Sequence, residues 1–218
     1  MKRIHPLIII VALSVIGVFW QIIALILENP KITNFPPKGS HIVAIGDSLM
    51  AGVGASSREK GFLALLEQRL GVTIVNKGIS GNTTADGLLR LQVDVLDQKP
   101  DIVIILLGGN DYLRRVPDTQ TFDNLLMIIR QVQSGGAVVL LLGVRGGLLT
   151  DHWDTNFEML AKETGSAYVP NVLDGIFGDP KLMSDQIHPN DRGYEKIADK
   201  VAPALLRIIP PEHTPITE

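Results

Sequence analysis

The chain has 218 residues, 45% of them apolar, with 20 basic and 23 acidic groups for a net charge of −3, and no cysteine. That length suits one domain with an attachment. The charge excludes the basic footprint of a nucleic-acid binder, and the absence of cysteine excludes disulfides, thiolate metal sites and a cysteine nucleophile.

Mean hydropathy is +0.23, high for a soluble domain, and the excess is local. Residues 6–27 run 22 positions without a charge, interrupted only by Ser14, Gly17 and Gln21. A helix of that length crosses the roughly 30 Å hydrocarbon layer of a bilayer. The run is longer than the about 7 to 15 apolar residues of a cleavable signal, and no small-residue cleavage site follows it. Residues 1–28 are therefore expected to form an uncleaved signal-anchor transmembrane helix. Lys2 and Arg3 before the span are matched by Lys31 and Lys38 after it. The basic pair at the extreme N-terminus decides the expected orientation: a single-pass membrane protein with its domain on the extracytoplasmic, periplasmic side. Residues 29–40, with Pro30, Pro36 and Pro37, are expected to be an extended tether reaching about 40 Å at most. A domain over 41–209 and a tail over 210–218 complete the division.

From residue 41 short β-branched runs alternate with segments of helical period. The runs 41–45, 73–75, 102–107, 138–142 and 167–169 predict strands, several of them apolar on both faces, and helices are predicted over 61–70, 84–97, 121–133, 151–164 and 191–208. Strands buried on both sides and separated by helices predict a parallel α/β sheet. In the last helix Tyr194, Ile197, Ala198, Val201, Ala202, Leu205 and Leu206 are expected to share one face, Asn190 is the expected N-cap, and Pro203 predicts a kink or an early end.

Sites in open α/β sheets form beyond the carboxyl ends of the strands, and there the polar residues cluster. Gly46-Asp47-Ser48-Leu49 follows the first strand, Gly78-Ile79-Ser80-Gly81-Asn82 the second and Gly108-Gly109-Asn110-Asp111 the third, while Asp185-Gln186-Ile187-His188-Pro189 precedes the last helix. A serine hydroxyl becomes a nucleophile when a positioned imidazole takes its proton, and a carboxylate on the other ring nitrogen orients that base. Ser48, His188 and Asp185 supply those three groups. The oxyanion of an acyl-transfer intermediate needs preorganised donors, for which the candidates are the backbone N–H groups of Ser48 and Gly81 and the side-chain amide of Asn110. Each block also has a plainer reading: Ser48 as a helix cap, Asn110 and Asp111 as an Asx-turn, Gly78 and Gly81 as turn glycines, Asp185 and His188 as a loop lock.

The four blocks, in this order, resemble the SGNH or GDSL-type hydrolase superfamily over residues 41–208, and within it the bacterial periplasmic thioesterase/lysophospholipase branch. The resemblance implies a three-layer, flavodoxin-like fold with a five-stranded parallel sheet. It also implies metal-free, cofactor-free hydrolysis of acyl esters through an acyl-serine intermediate. The Gly-x-Ser-x-Gly elbow of another hydrolase class is absent, because Met50 stands two residues after Ser48. Scattered histidines without an H-x-H pair do not furnish two metal shells.

The loop 112–121 with Arg114 and Arg115, and the segment 143–151 with Leu148 and Leu149 and nearby Trp153, are expected to border the site. Asp47, Asp111, Arg114 and Arg145 are the candidate substrate contacts, an arginine being suited to a phosphate headgroup. With a membrane-held domain, a lipid-derived ester such as a lysophospholipid is the expected substrate. The alternatives are an O-acetylesterase acting on envelope polysaccharide and, in another class, a catalytically inactive membrane-anchored binding domain.

Overall fold

A computed structural model describes residues 31–144 and 152–210. The expected transmembrane helix and the tail from residue 211 lie outside the described residues, as do Arg145, Leu148 and Leu149. Among the described residues no helix is long and apolar enough to cross a membrane.

Five parallel strands, β1 (Ile42–Gly46), β2 (Ile74–Gly78), β3 (Ile102–Leu106), β4 (Val138–Leu142) and β5 (Ala167–Val169), form one sheet in the order β2-β1-β3-β4-β5. The three central runs, IVAIG, IVIIL and VVLLL, are buried at every position, as strands covered on both faces must be. The edge strands are only partly buried.

The helices are α1 (Ser48–Ala51), α2 (Phe62–Leu70), α3 (Thr84–Asp94), α4 (Gly109–Leu113), α5 (Asp118–Ser134), α6 (His152–Thr164) and α7 (Asp191–Leu206). One helical layer pairs α2 with α7, and the other joins α3, α5 and α6. The two short helices α1 and α4 were not predicted, because four or five residues are too few for a helical period to show. Pro203 lies inside α7, which ends at Leu206. The predicted early end is thus a single turn beyond the proline, whose ring removes an N–H donor.

Residues 32–40 are not a free tether. The chain divides between Lys31 and Ile32, so the folded unit begins nine residues before the predicted boundary at His41. Ile32 packs against the core. The Thr33 N–H donates to Gly165 O at 2.8 Å, and its Oγ1 donates to Thr164 O at 2.8 Å. Asn34 Nδ2 donates to Gln133 O at 2.8 Å and to Ala137 O at 3.0 Å. Gln133 and Thr164 close α5 and α6, and the last carbonyls of a helix have no partner within it. This strap adds donors along the amino edge of the sheet to carbonyls that also accept from the Gly136 N–H and from Gln133 Nε2. Proline content suggested an extended chain but carried no sign of these long-range bonds.

Candidate active site

Strand β1 ends at Gly46, and Asp47 caps α1 by accepting the Leu49 N–H at 3.0 Å. Ser48 is therefore the first residue of the helix and not its cap, and it is 8% exposed. Its hydroxyl faces a short loop from the far end of the chain. There Met183 pairs with Pro189 as an antiparallel bridge, the Ser184 N–H donates to His188 O at 2.9 Å and the Asn190 N–H to Leu182 O at 2.9 Å. Asn190 also caps α7 as predicted, accepting from the Gly193 N–H at 3.1 Å. These bonds hold the loop shut around Asp185 and His188.

Inside it Asp185 Oδ1 accepts the N–H groups of Ile187 and His188, both at 2.8 Å, and Oδ2 lies 2.8 Å from His188 Nδ1. The His188 bond foremost, then the two backbone donors, holds the Asp185 carboxyl down at about 2. An ionised Asp185 requires Nδ1 to donate, which leaves the Nε2 lone pair of neutral His188 for Ser48. Nε2 and Ser48 Oγ are 3.0 Å apart. The approach of the two chain segments depends on Gly54, at φ +97: a Cβ there would stand 2.5 Å from Pro189 O and 3.0 Å from His188 Cβ.

The remaining blocks converge on the same place. The Asn82 N–H donates to Ile79 O at 3.2 Å, closing a turn whose third residue is Gly81 at φ +83, a position that favours glycine. Asn110, in α4, donates from Nδ2 to Asn82 O at 3.0 Å and to Asp47 Oδ2 at 3.2 Å. Asp47 is 3% exposed. Burial, only partly offset by the Leu49 N–H and by the facing His188, pushes its carboxyl up to about 6.

Ser48, His188, Asp47 and Asn110 line one cavity of about 70 Å³, walled by Leu49, Val144 and Leu173 and rimmed by Leu113, Phe177 and Ile187. Gly81 is not in that wall, whereas Gly109 is. The expected border holds for Tyr112, Leu113 and Val144. Trp153 instead is buried, its ring edge-on to Tyr112 at 5.5 Å. Leu173, Phe177 and Ile187 were not anticipated; they sit on loops without a period to mark them.

Three of the four candidate substrate contacts have other occupations. Asp111 is fully buried and away from the cavity: Oδ2 accepts the Thr84 N–H at 2.9 Å and Oδ1 accepts Thr84 Oγ1 at 2.6 Å, fastening α4 to α3. Arg114 Nη2 donates to Gly81 O at 2.8 Å, so its guanidinium braces the glycine turn. Asp47 spends its carboxylate on Leu49 and Asn110. Arg145, the fourth, falls outside the described residues. Arg90 was missed. Its i, i+4 pairing with Asp94, at 2.8 Å, reads in a sequence as an ordinary surface pair, yet its side chain is 15% exposed and reaches the ends of β1 and β2. Among the described residues no group of three His, Asp or Glu side chains is placed to hold a metal ion.

The sequence matches the GDSL-like lipase/acylhydrolase family over residues 44–196. It is 32% identical over 176 residues to thioesterase 1/protease 1/lysophospholipase L1 of Escherichia coli strain K12, covering 77% of this chain and 84% of the relative. To an acetylxylan esterase of Geobacillus stearothermophilus it is 45% identical over 172 residues, covering 67% and 78%. A crystal structure of TesA, 33% identical, superposes with a TM-score of 0.69 over 77% of this chain and 99% of that one. The chain belongs to the GDSL-like lipase/acylhydrolase family and is an esterase-type hydrolase.

Proposed function

We propose that the protein is a membrane-anchored serine esterase that cleaves lipid-derived acyl esters, of which lysophospholipids are the model. Ser48 attacks the ester carbonyl, His188 Nε2 takes the serine proton and later delivers it to the leaving alcohol, and Asp185 holds the imidazole in the required tautomer. Water then hydrolyses the acyl-serine with His188 as base. The backbone N–H groups of Ser48 and Gly81 and the Asn110 amide carry the oxyanion. The observation that carries this reading is the relay Ser48 Oγ to His188 Nε2 at 3.0 Å and His188 Nδ1 to Asp185 Oδ2 at 2.8 Å, opening into a cavity shared with Asn110.

The lipid preference is supported by the exposed apolar rim, where Leu113, Phe177 and Ile187 are 55%, 39% and 38% exposed. An acyl chain leaving the small cavity would lie along those side chains. The uncharged run 6–27 supports the anchor, and Lys2 and Arg3 support a periplasmic domain. Protease digestion of the domain in right-side-out vesicles is the expected result; protection there reverses the orientation.

The small volume of the cavity, about 70 Å³, favours a second reading, removal of acetyl groups from envelope polysaccharide. An acyl-length series separates the two. Turnover that rises toward dispersed long-chain lysophospholipids supports the lipid reading, whereas a maximum at acetyl with a steep fall by butyryl replaces it. Labelling of Ser48 by a fluorophosphonate tests the nucleophile itself, and a folded protein that stays unlabelled overturns the assignment.

A further inference from the structure

Arg90 lies on α3, outside the four blocks, and four of the five N–H donors of its guanidinium are engaged. Nε donates to Asn82 Oδ1 at 2.7 Å, Nη1 to Lys77 O and to Asp94 Oδ2, both at 2.8 Å, and Nη2 to Gly46 O at 3.0 Å. Gly46 is bonded covalently to Asp47, whose Oδ2 accepts from Asn110 Nδ2, and the same nitrogen donates to Asn82 O. The path from Arg90 through Gly46, Asp47, Asn110 and Asn82 thus returns to Arg90. This closed ring joins the three segments that carry Ser48, Gly81 and Asn110.

We propose that Arg90 is a positioning residue for the oxyanion donors, fixing the Ser48 turn, the Gly81–Asn82 turn and the Asn110 amide relative to one another. The proposal rests on the serine-esterase reading above. Donors aimed at a developing oxyanion act through preorganisation, and displacements of about 0.5 Å already weaken them. A guanidinium suits this task because its donors are fixed in a planar fork, whereas an ammonium is a point charge on a flexible stem.

The local fold does not depend on the same bonds to the same degree. Gly46 O also accepts the Ile79 N–H at 3.1 Å, and Asp94 keeps Lys77 Nζ within 3.8 Å. Loss of the fork therefore opens the ring on one side, leaving the Ile79–Gly46 bond and the Asn110 bridge between Asp47 and Asn82 in place without the guanidinium that fixes them relative to each other. The signature is a fall in kcat with little change in KM, since the donors act on the transition state and not on substrate capture.

The test compares the full-length parent, Arg90→Met, Arg90→Lys, Arg90→Ala and Asn82→Ala with Ser48→Ala as reference, on a chromogenic acyl ester. The expected result is a kcat about 30-fold lower for Arg90→Met and nearly as low for Arg90→Lys, with KM within about threefold. Guanidinium ion at tens of millimolar should restore Arg90→Ala at least about fivefold and leave Ser48→Ala unchanged, because it replaces the missing fork and not the nucleophile. Asn82→Ala, which cuts the ring while leaving Arg90 in place, should lose about 10-fold in kcat and decides the matter if the Arg90 variants do not fold. A kcat within about threefold of the parent in folded Arg90→Met, absence of guanidinium rescue, or an unchanged Asn82→Ala overturns the proposal. Activity retained in Ser48→Ala overturns the serine reading instead.

Discussion

Asp185 and His188 meet across two intervening residues, in a loop that bonds to itself and leaves the Asp185 side chain 53% exposed. Ser48, Asn82 and Asn110 are brought together from three strand ends, by contacts between residues 28 and 63 positions apart, around an Asp47 that is only 3% exposed. The Asp185 side of the site is thus local and wet, and the oxyanion half is assembled and buried. Damage at Asp185 is limited by what water can replace. Damage to the oxyanion half propagates, because each buried group is also another group's partner.

The largest effect expected spans both halves. Ser48→Ala and His188→Ala should lower kcat by about 10⁴-fold or more while circular dichroism reports an unchanged fold; substantial turnover in either breaks the comparison at its root. Asp185 sharpens it. In Asp185→Asn, Oδ1 can still hold Ile187 and His188, but an NH₂ group then faces Nδ1 and forces the imidazole proton onto Nε2, so a loss of about 10³-fold is expected. Asp185→Ala leaves an exposed gap that water can fill, and a milder loss of about 10-fold is expected. If the alanine variant is the worse of the two, the Asp185 side is not wet in function. For Asn110→Ala, steady-state kinetics should show a loss of about 100-fold in kcat.

The smallest effect lies in stability. A carboxyl held at about 6 in the fold, against an ordinary 3.8, binds its proton more readily folded than unfolded. Its burial opposes folding above pH 6, and that opposition fades as pH falls through 6 toward 4. The difference corresponds to about 3 kcal/mol at most. Chemical denaturation should therefore show the parent gaining stability relative to Asp47→Asn between pH 7 and pH 5; parallel curves would mean that Asp47 is not desolvated.

The same contrast governs what was legible in the chain. The Asp185–His188 pair could be read because its three-residue spacing is its geometry, and the central strands because strands covered on both faces need unbroken apolar runs. The glycine, serine and asparagine blocks were placed correctly at the strand ends by topology. What Asp111 and Arg114 do there was not legible: the same residue types serve as substrate contacts, locks or braces according to which distant carbonyl or hydroxyl they meet. Arg90 was invisible for the same reason, its partners Gly46 and Lys77 being 44 and 13 residues away. The strap was misread because proline predicts local extension, while Thr33 and Asn34 act through bonds spanning 99 to 131 residues.

That strap also decides where force enters the domain. A pull on the N-terminal side of the domain, as in an optical trap, is met first by Thr33 and Asn34 on the amino edge of the sheet, at the opposite end of the strands from Ser48. Residues 32–40 have a contour of about 30 Å at roughly 3.4 Å per residue, so peeling them would lengthen the chain by that contour less the distance they already span, before tension reaches β1. A force applied there meets the four bonds of Thr33 and Asn34 before it meets β1.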